Sequence, residues 1–67
     1  MNTNNQNNFF VLYSERIDVW QTSYLAEDFY ITRNVEKAKK FKTYDEAVSF
    51  LMKNSLEDFY DVAEKQY

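Results

Sequence analysis

Thr43-Tyr44-Asp45-Glu46-Ala47-Val48-Ser49-Phe50-Leu51-Met52-Lys53-Asn54 is the stretch in which every local signal agrees. Thr43 and Glu46 stand at the spacing of a capping box, where the hydroxyl accepts an orphan backbone N–H and the carboxylate reaches back to the cap residue. Acid at the front and Lys53 at the back suit the helix dipole. Tyr44, Ala47, Val48 and Leu51 recur at i, i+3, i+4 and i+7 with Phe50 beside them, which predicts a helix carrying one apolar stripe that must be buried. Asn54 is the residue expected to take the left-handed turn that ends the helix, because the chain has no glycine to do so.

The chain before the helix reads as sheet. Residues 1–8 are Asn-rich, uncharged and without apolar periodicity, and predict a disordered leader to a single domain over residues 9–67. Phe9 to Tyr13 is a continuous apolar run, too short for a helix and suited to a central strand. From Ile17 to Leu25 the pattern alternates, with Trp20 and Tyr24 on one side, so a second strand is expected there. A tight turn at Ala26–Asp28 and a short third strand over Phe29–Thr32 come next. Val35, Ala38 and Phe41 at spacing three predict a helical turn that packs those residues inward and points its lysines outward. After the helix, Ser55 and Asp58 have capping-box spacing and Leu56, Phe59, Tyr60, Ala63 and Tyr67 helical spacing. The residues Phe59–Glu64 also alternate as a strand would, although pattern alone slightly favours the helix.

At 67 residues the chain has room for one small core, and its stabilising surface must be aromatic, since Phe, Tyr and Trp make 19% of it. With no cysteine there is neither a disulfide nor a thiolate metal site. With no histidine the commonest metal ligand and the usual neutral-pH proton carrier are missing. No catalytic, cofactor-binding or metal residue is expected, and the chain does not read as an enzyme. Nothing approaches the length of a membrane span or the pattern of a secretory signal, so a cytoplasmic protein of a bacterial host is expected, with no membrane partner. The excess of Asn, Lys, Tyr and Phe over Gly, Pro and Ala suits AT-rich coding and points towards a low-GC bacterium, its phage or another mobile element.

Charge is segregated along the chain. Arg16 stands against Glu15, Asp18, Glu27 and Asp28 in residues 1–32. Arg33, Lys37, Lys39, Lys40 and Lys42 stand against Glu36 alone in residues 33–42. Lys53 and Lys65 face Asp45, Glu46, Glu57, Asp58, Asp61 and Glu64 from residue 43 onward, and the whole carries −3. This segregation defines two candidate surfaces. Glu57, Asp58, Asp61 and Glu64, interleaved with Tyr60 and joined by Trp20 and Tyr24 from an uncovered sheet face, would meet a basic protein surface of the sort nucleic-acid-handling proteins present. Arg33, Lys37, Lys39, Lys40 and Lys42, with Phe29, Tyr30 or Tyr44 as stacking neighbours, would track a nucleic-acid backbone. The bland alternative is a solvated face in both cases.

The strand Phe29-Tyr30-Ile31-Thr32, the turn Ala38-Lys39-Lys40-Phe41 and the helix opening Thr43-Tyr44-Asp45-Glu46-Ala47 resemble small uncharacterised proteins of Gram-positive phages and prophages. The resemblance covers about the middle third of the chain and implies strands, a helix across one face and a final strand after it. That last implication assigns Phe59–Glu64 to a strand. The expected fold is therefore a small α+β domain, an antiparallel sheet of three or four strands with one principal helix on one face, in the order β-β-β-α-β. The expected function is stoichiometric binding and inhibition of a host protein by a phage or mobile-element accessory protein, such as an anti-CRISPR or other anti-defence factor. A small nucleic-acid-binding or regulatory module using residues 33–42 is the alternative, and a homodimer through Trp20 and Tyr24 remains open.

Overall fold

The structure, a computed structural model, describes residues 8–17 and 20–66. It contains β1 (Asn8–Ser14), β2 (Ser23–Leu25), β3 (Ile31–Thr32), α1 (Tyr44–Lys53) and β4 (Asp61–Gln66), with short 3-10 turns at Glu27–Phe29 and Val35–Lys37. The strands form one antiparallel sheet in the order β3-β2-β1-β4, and α1 packs across it. This is the small α+β domain expected from the sequence. The expected leader lies outside the described residues except for Asn8, which opens β1 opposite Gln66.

The continuous apolar run of β1 has a simple cause, which is that both faces of this strand are covered. On the helix side Leu12 is packed with Leu25, Phe41, Ala47, Leu51 and Tyr60. On the opposite side Phe9 and Val11 are packed with Ala38, Val35, Tyr24 and Ala63. The second cluster exists because β1 and β2 pair only at Tyr13–Tyr24 and Ser14–Ser23 and then diverge. The extended segment 38–41 enters that gap. Phe10 N–H donates to the Phe41 carbonyl (2.8 Å), Phe41 N–H donates to the Phe10 carbonyl (2.9 Å), and Lys39 N–H donates to the Leu25 carbonyl (2.9 Å). Because an extended chain alternates its side chains, Phe41 enters the helix-side core and Ala38 the other. Burying each large apolar side chain contributes about 1.5–3 kcal/mol. An exposed ion pair such as Arg16–Asp61 (3.8 Å) contributes at most about 1 kcal/mol, so the two clusters hold the fold.

Helix α1 begins as its sequence predicts. Thr43 Oγ1 accepts from Glu46 N–H (3.1 Å), while the Glu46 carboxylate accepts from the N–H of Lys42 (3.2 Å), one residue ahead of the cap residue. Ala47 and Leu51 are buried; Tyr44 stays exposed at the helix start, its ring meeting Phe10 edge-on at 6.1 Å. The helix end corrects the expectation for Asn54, which keeps a negative φ of −104° and instead donates from its side chain to the Phe50 carbonyl (2.9 Å). Ser55 takes the left-handed position, with φ 57°. Ser55 N–H then donates to the Met52 carbonyl and Leu56 N–H to the Leu51 carbonyl, and Leu56 packs back on the core beside Leu51. These are the bonds and the apolar contact of a Schellman stop, with serine where glycine is usual.

The helical turn expected to carry Val35, Ala38 and Phe41 is limited to Val35–Lys37, because residues 38–41 are extended and bridge to residues 10 and 26, and three strand boundaries also differ from expectation. The second strand is confined to Ser23–Leu25; Ile17 lies in an exposed bend, Trp20 and Gln21 lie in a turn, and Asp18 and Val19 fall outside the described residues. The third strand is Ile31–Thr32, since Phe29 closes a 3-10 turn. The last strand is shifted to Asp61–Gln66, because Phe59 and Tyr60 N–H groups both donate to the Leu56 carbonyl in the turn that leaves the helix. Helical spacing after Asn54 therefore reflects a turn followed by a strand.

A serine in the left-handed region is strained by its Cβ. Ser55→Gly is expected to stabilise the protein by about 0.5–1 kcal/mol, raising Tm by roughly 4–8 °C per kcal/mol for a domain of this size. An unchanged or lowered Tm in thermal unfolding would contradict the assignment of the stop to Ser55.

Candidate partner-binding surface

The sequence-predicted acidic and aromatic residues do not converge on one surface. Tyr60 is only 5% exposed and belongs to the helix-side core, so it offers nothing to a partner; burial also raises its phenol above the usual tyrosine value. Tyr24 is half-buried on the opposite face, beneath Lys65 Nζ at 5.9 Å, so that face is covered where it was expected to be open. Trp20 is 88% exposed, in the loop between β1 and β2. Glu57 and Asp58 are exposed in the turn before β4, and Asp61 reaches Arg16 across the start of that strand. Since β1 ends and β4 begins side by side, the Trp20 loop and these three carboxylates share one end of the sheet. Glu64, further along β4, accepts from Asn8 Nδ2 (2.7 Å).

The basic run is divided rather than assembled. Lys39 and Lys40 are neighbours in the segment that fills the sheet gap, so their side chains leave on opposite sides. Lys39 Nζ is 3.3 Å from Glu27 Oε1 and lies over the rings of Phe41 and Phe50 at 5.5 and 5.3 Å. Lys40 Nζ donates to the Glu36 carbonyl (2.7 Å) and lies over Phe9 on the other face. Arg33, Lys37 and Lys42 are exposed. A phosphate backbone tracked by one of the two central lysines is thus turned away from the other.

A surface that the sequence reading did not assemble stands at the β3 edge. Phe29, Tyr30 and Ile31 are consecutive and 55%, 72% and 55% exposed. Their display originates in the turn before them, where Asp28 and Phe29 both have positive φ, 62° and 66°. Aspartate tolerates that region, whereas a bulky residue such as phenylalanine is an outlier there. The strain costs on the order of 1–3 kcal/mol, and something must hold it. Ala26 N–H donates to the Tyr30 carbonyl across the turn, and the Phe29 ring stacks on Phe50 of α1 at 5.7 Å, 23° from parallel. Phe50 in turn meets Phe41 at 5.3 Å.

Beside this ridge runs an open groove of about 510 Å³, floored by Phe41 and Phe50. Lys39 and Lys53 border it with Asp45, Glu46 and Ser49. Phe29, stacked on Phe50, joins the groove to the exposed β3 edge, and the groove is apolar at its floor and charged at its rim, the composition of a protein-binding patch. The sequence shows three consecutive large apolar residues here, but their exposure follows from the turn and the two-residue edge strand that the structure supplies. Among the described residues no group of three or more carboxylates is placed to hold a metal ion, and no helix is long and apolar enough to cross a membrane.

No family model, no curated protein and no solved structure matches the chain.

Two measurements probe this description. Phe29→Ala loses the stacking yet keeps a Cβ at positive φ, whereas Phe29→Gly loses the stacking and relieves the strain. Phe29→Gly is therefore expected to be the more stable of the two by about 1 kcal/mol in urea unfolding, and the opposite order would show that the turn is not strained. For Tyr60, the raised phenol means that the folded state holds its proton longer than the unfolded chain. Its contribution is intact below the unfolded value of about 10 and is lost as pH rises from there through the folded value. Stability of the native protein is expected to fall more steeply above pH ~10 than that of Tyr60→Phe; parallel curves would place this phenol in water.

Proposed function

We propose that this protein acts by stoichiometric binding to another protein, and that the Phe29–Tyr30–Ile31 ridge with its adjoining groove is the surface it binds with. The observation that carries the reading is a strained, glycine-free turn that holds three consecutive large apolar residues in water, against an aromatic support from the helix. Exposing such residues brings the isolated domain no stability, and the strain at Phe29 subtracts from it. Aromatic residues at the centre of a patch with a charged rim are the usual carriers of binding energy between proteins.

In its concrete form, the protein is a phage or mobile-element accessory protein that inhibits a host protein by occupying its working surface, as an anti-CRISPR or other anti-defence factor does. The support for this form is the small size, the acidic balance, the absence of histidine and cysteine, and the resemblance of residues 29–47 to small phage proteins. It places the protein in the cytoplasm of its bacterial host. Glu57, Asp58, Asp61 and the Trp20 loop, grouped at the far end of the sheet, supply a second, electrostatic contact to a basic target. The nucleic-acid reading has less support, because Lys39 and Lys40 face opposite ways and Lys39 is already paired.

The test is capture of partners by the tagged full chain from a low-GC Gram-positive lysate at physiological salt, followed by assay of the captured protein's own activity. The expected result is one host protein held in a fixed ratio and inhibited at that ratio. Tyr30→Ala and Ile31→Ala should each weaken binding by about 30-fold or more while leaving Tm within a degree or two, as central interface residues do. Recovery of nucleic acid alone, lost on neutralising Lys37, Lys39 and Lys40, would overturn the proposal.

A further inference from the structure

We propose that β4 is a self-pairing edge, through which two copies of this chain join their sheets across a two-fold axis centred on Ala63. The inference does not rest on the partner-binding reading, since the β3 ridge lies on the opposite edge of the sheet and only Asp61 is shared with the acidic contact of that reading. Its starting point is the direction of the backbone groups of β4. Phe10 spends both its N–H and its carbonyl on Phe41, on the side of β1 away from β4. In an antiparallel ladder the two polar groups of a residue point the same way and successive residues alternate. Phe10 and its cross-strand partner Glu64 are therefore a pair without mutual hydrogen bonds. It follows that Val62, Glu64 and Gln66 direct their N–H and carbonyl groups outward, while Asp61, Ala63 and Lys65 direct theirs to β1. Beyond β4 no further strand is found among the described residues.

An outward row of donors and acceptors six residues long is a template for another strand. The side chains select which strand. In an antiparallel pairing about an axis normal to the sheet, residues of equal parity face each other. With the axis at Ala63, Asp61 of one copy stands opposite Lys65 of the other, and the reverse pair forms at the other end. Val62 and Glu64 then exchange four backbone hydrogen bonds between copies, and the small Ala63 side chains meet at the centre. Moving the axis to Glu64 sets two like charges directly against each other, and moving it to Val62 sets Asp61 opposite Ala63 and Lys65 opposite Phe59, so neither meets an opposite charge. Opposite charges across strands stabilise a register and like charges destabilise it, so the sequence of β4 is complementary to itself in one register. Such an edge contact falls at the small end of interface sizes, so the dimer is weak, forming between ~10 µM and ~1 mM.

The test uses the full chain in sedimentation equilibrium over that range. The native protein should associate reversibly to a dimer. Asp61→Lys and Lys65→Glu each set like charges across the axis and should each be monomeric at concentrations where the native protein is half-dimer. An equimolar mixture of the two variants should dimerise again, because the positive edge of one then meets the negative edge of the other. Glu64→Pro, which removes an outward N–H at an edge position where proline is tolerated, should also be a folded monomer. Should a charge variant fail to fold, the native protein still decides the matter. Amide exchange at Val62 and Glu64 should slow as concentration rises, while that at Ala63 and Lys65 should not change. A native protein monomeric to ~1 mM, a dimer indifferent to the charge variants, or concentration-independent exchange at Val62 and Glu64 would overturn the proposal.

Discussion

The two backbone hydrogen bonds between Phe10 and Phe41 are the constraint on which the rest of the structure depends. They fasten the segment 38–41 into the space where β1 and β2 part, and that segment supplies a core residue to each face of the sheet. Without it Phe9 and Val11 would lie on an open face, and Phe41 would not be available to floor the groove beside the helix. A buried backbone group without a partner costs about 1–3 kcal/mol, so filling the gap with chain is favoured over leaving the ladder open. The same insertion separates Lys39 from Lys40 and fixes which polar groups of β4 face outward. Core, surface electrostatics and edge thus derive from one pairing between distant segments.

A second constraint is the complete absence of glycine and proline. The chain must still turn, and it does so by placing ordinary residues in the left-handed region at Asp28, Phe29 and Ser55. At Ser55 the strain is offset by a closed set of helix-ending bonds and by the return of Leu56 to the core. At Phe29 it is offset by stacking on Phe50, and the by-product is the display of Tyr30 and Ile31. Similar backbone geometry therefore has a structural outcome in one place and a surface outcome in the other. The difference lies in the neighbouring chain. Ser55 is succeeded by a residue that folds back inward, whereas Phe29 leads into an edge strand with no further strand beyond it among the described residues.

Much of this was legible in the residues. The capped helix and the interior position of β1 come from periodicity and capping chemistry, which are local properties, whereas the inward set Val35, Ala38 and Phe41 reads as a helical turn and is in fact carried partly by the extended residues 38–41. The boundaries of β2, β3 and β4 were not, because short strands end where the ladder ends and a ladder is a relation between distant segments. Trp20 is exposed, yet it sits in a loop where the alternation of residues 17–25 suggests a strand. Tyr60 was drawn into the acidic surface by its neighbours in sequence, and its burial against α1 reflects packing that spacing does not encode.

What the sequence determined by itself is the inventory and the local geometry: one helix with its start, strands rich in aromatic residues, and a composition without histidine, cysteine, glycine or proline. Those features depend on contacts within a few residues, so any reading of the chain in order can find them. Tertiary structure alone decided that the basic stretch divides between two faces, that Tyr60 is core, and that Phe29, Tyr30 and Ile31 become a ridge. Each of these depends on where the segment 38–41 and the helix come to rest against the sheet, that is, on contacts between residues far apart in the chain, which no local pattern records.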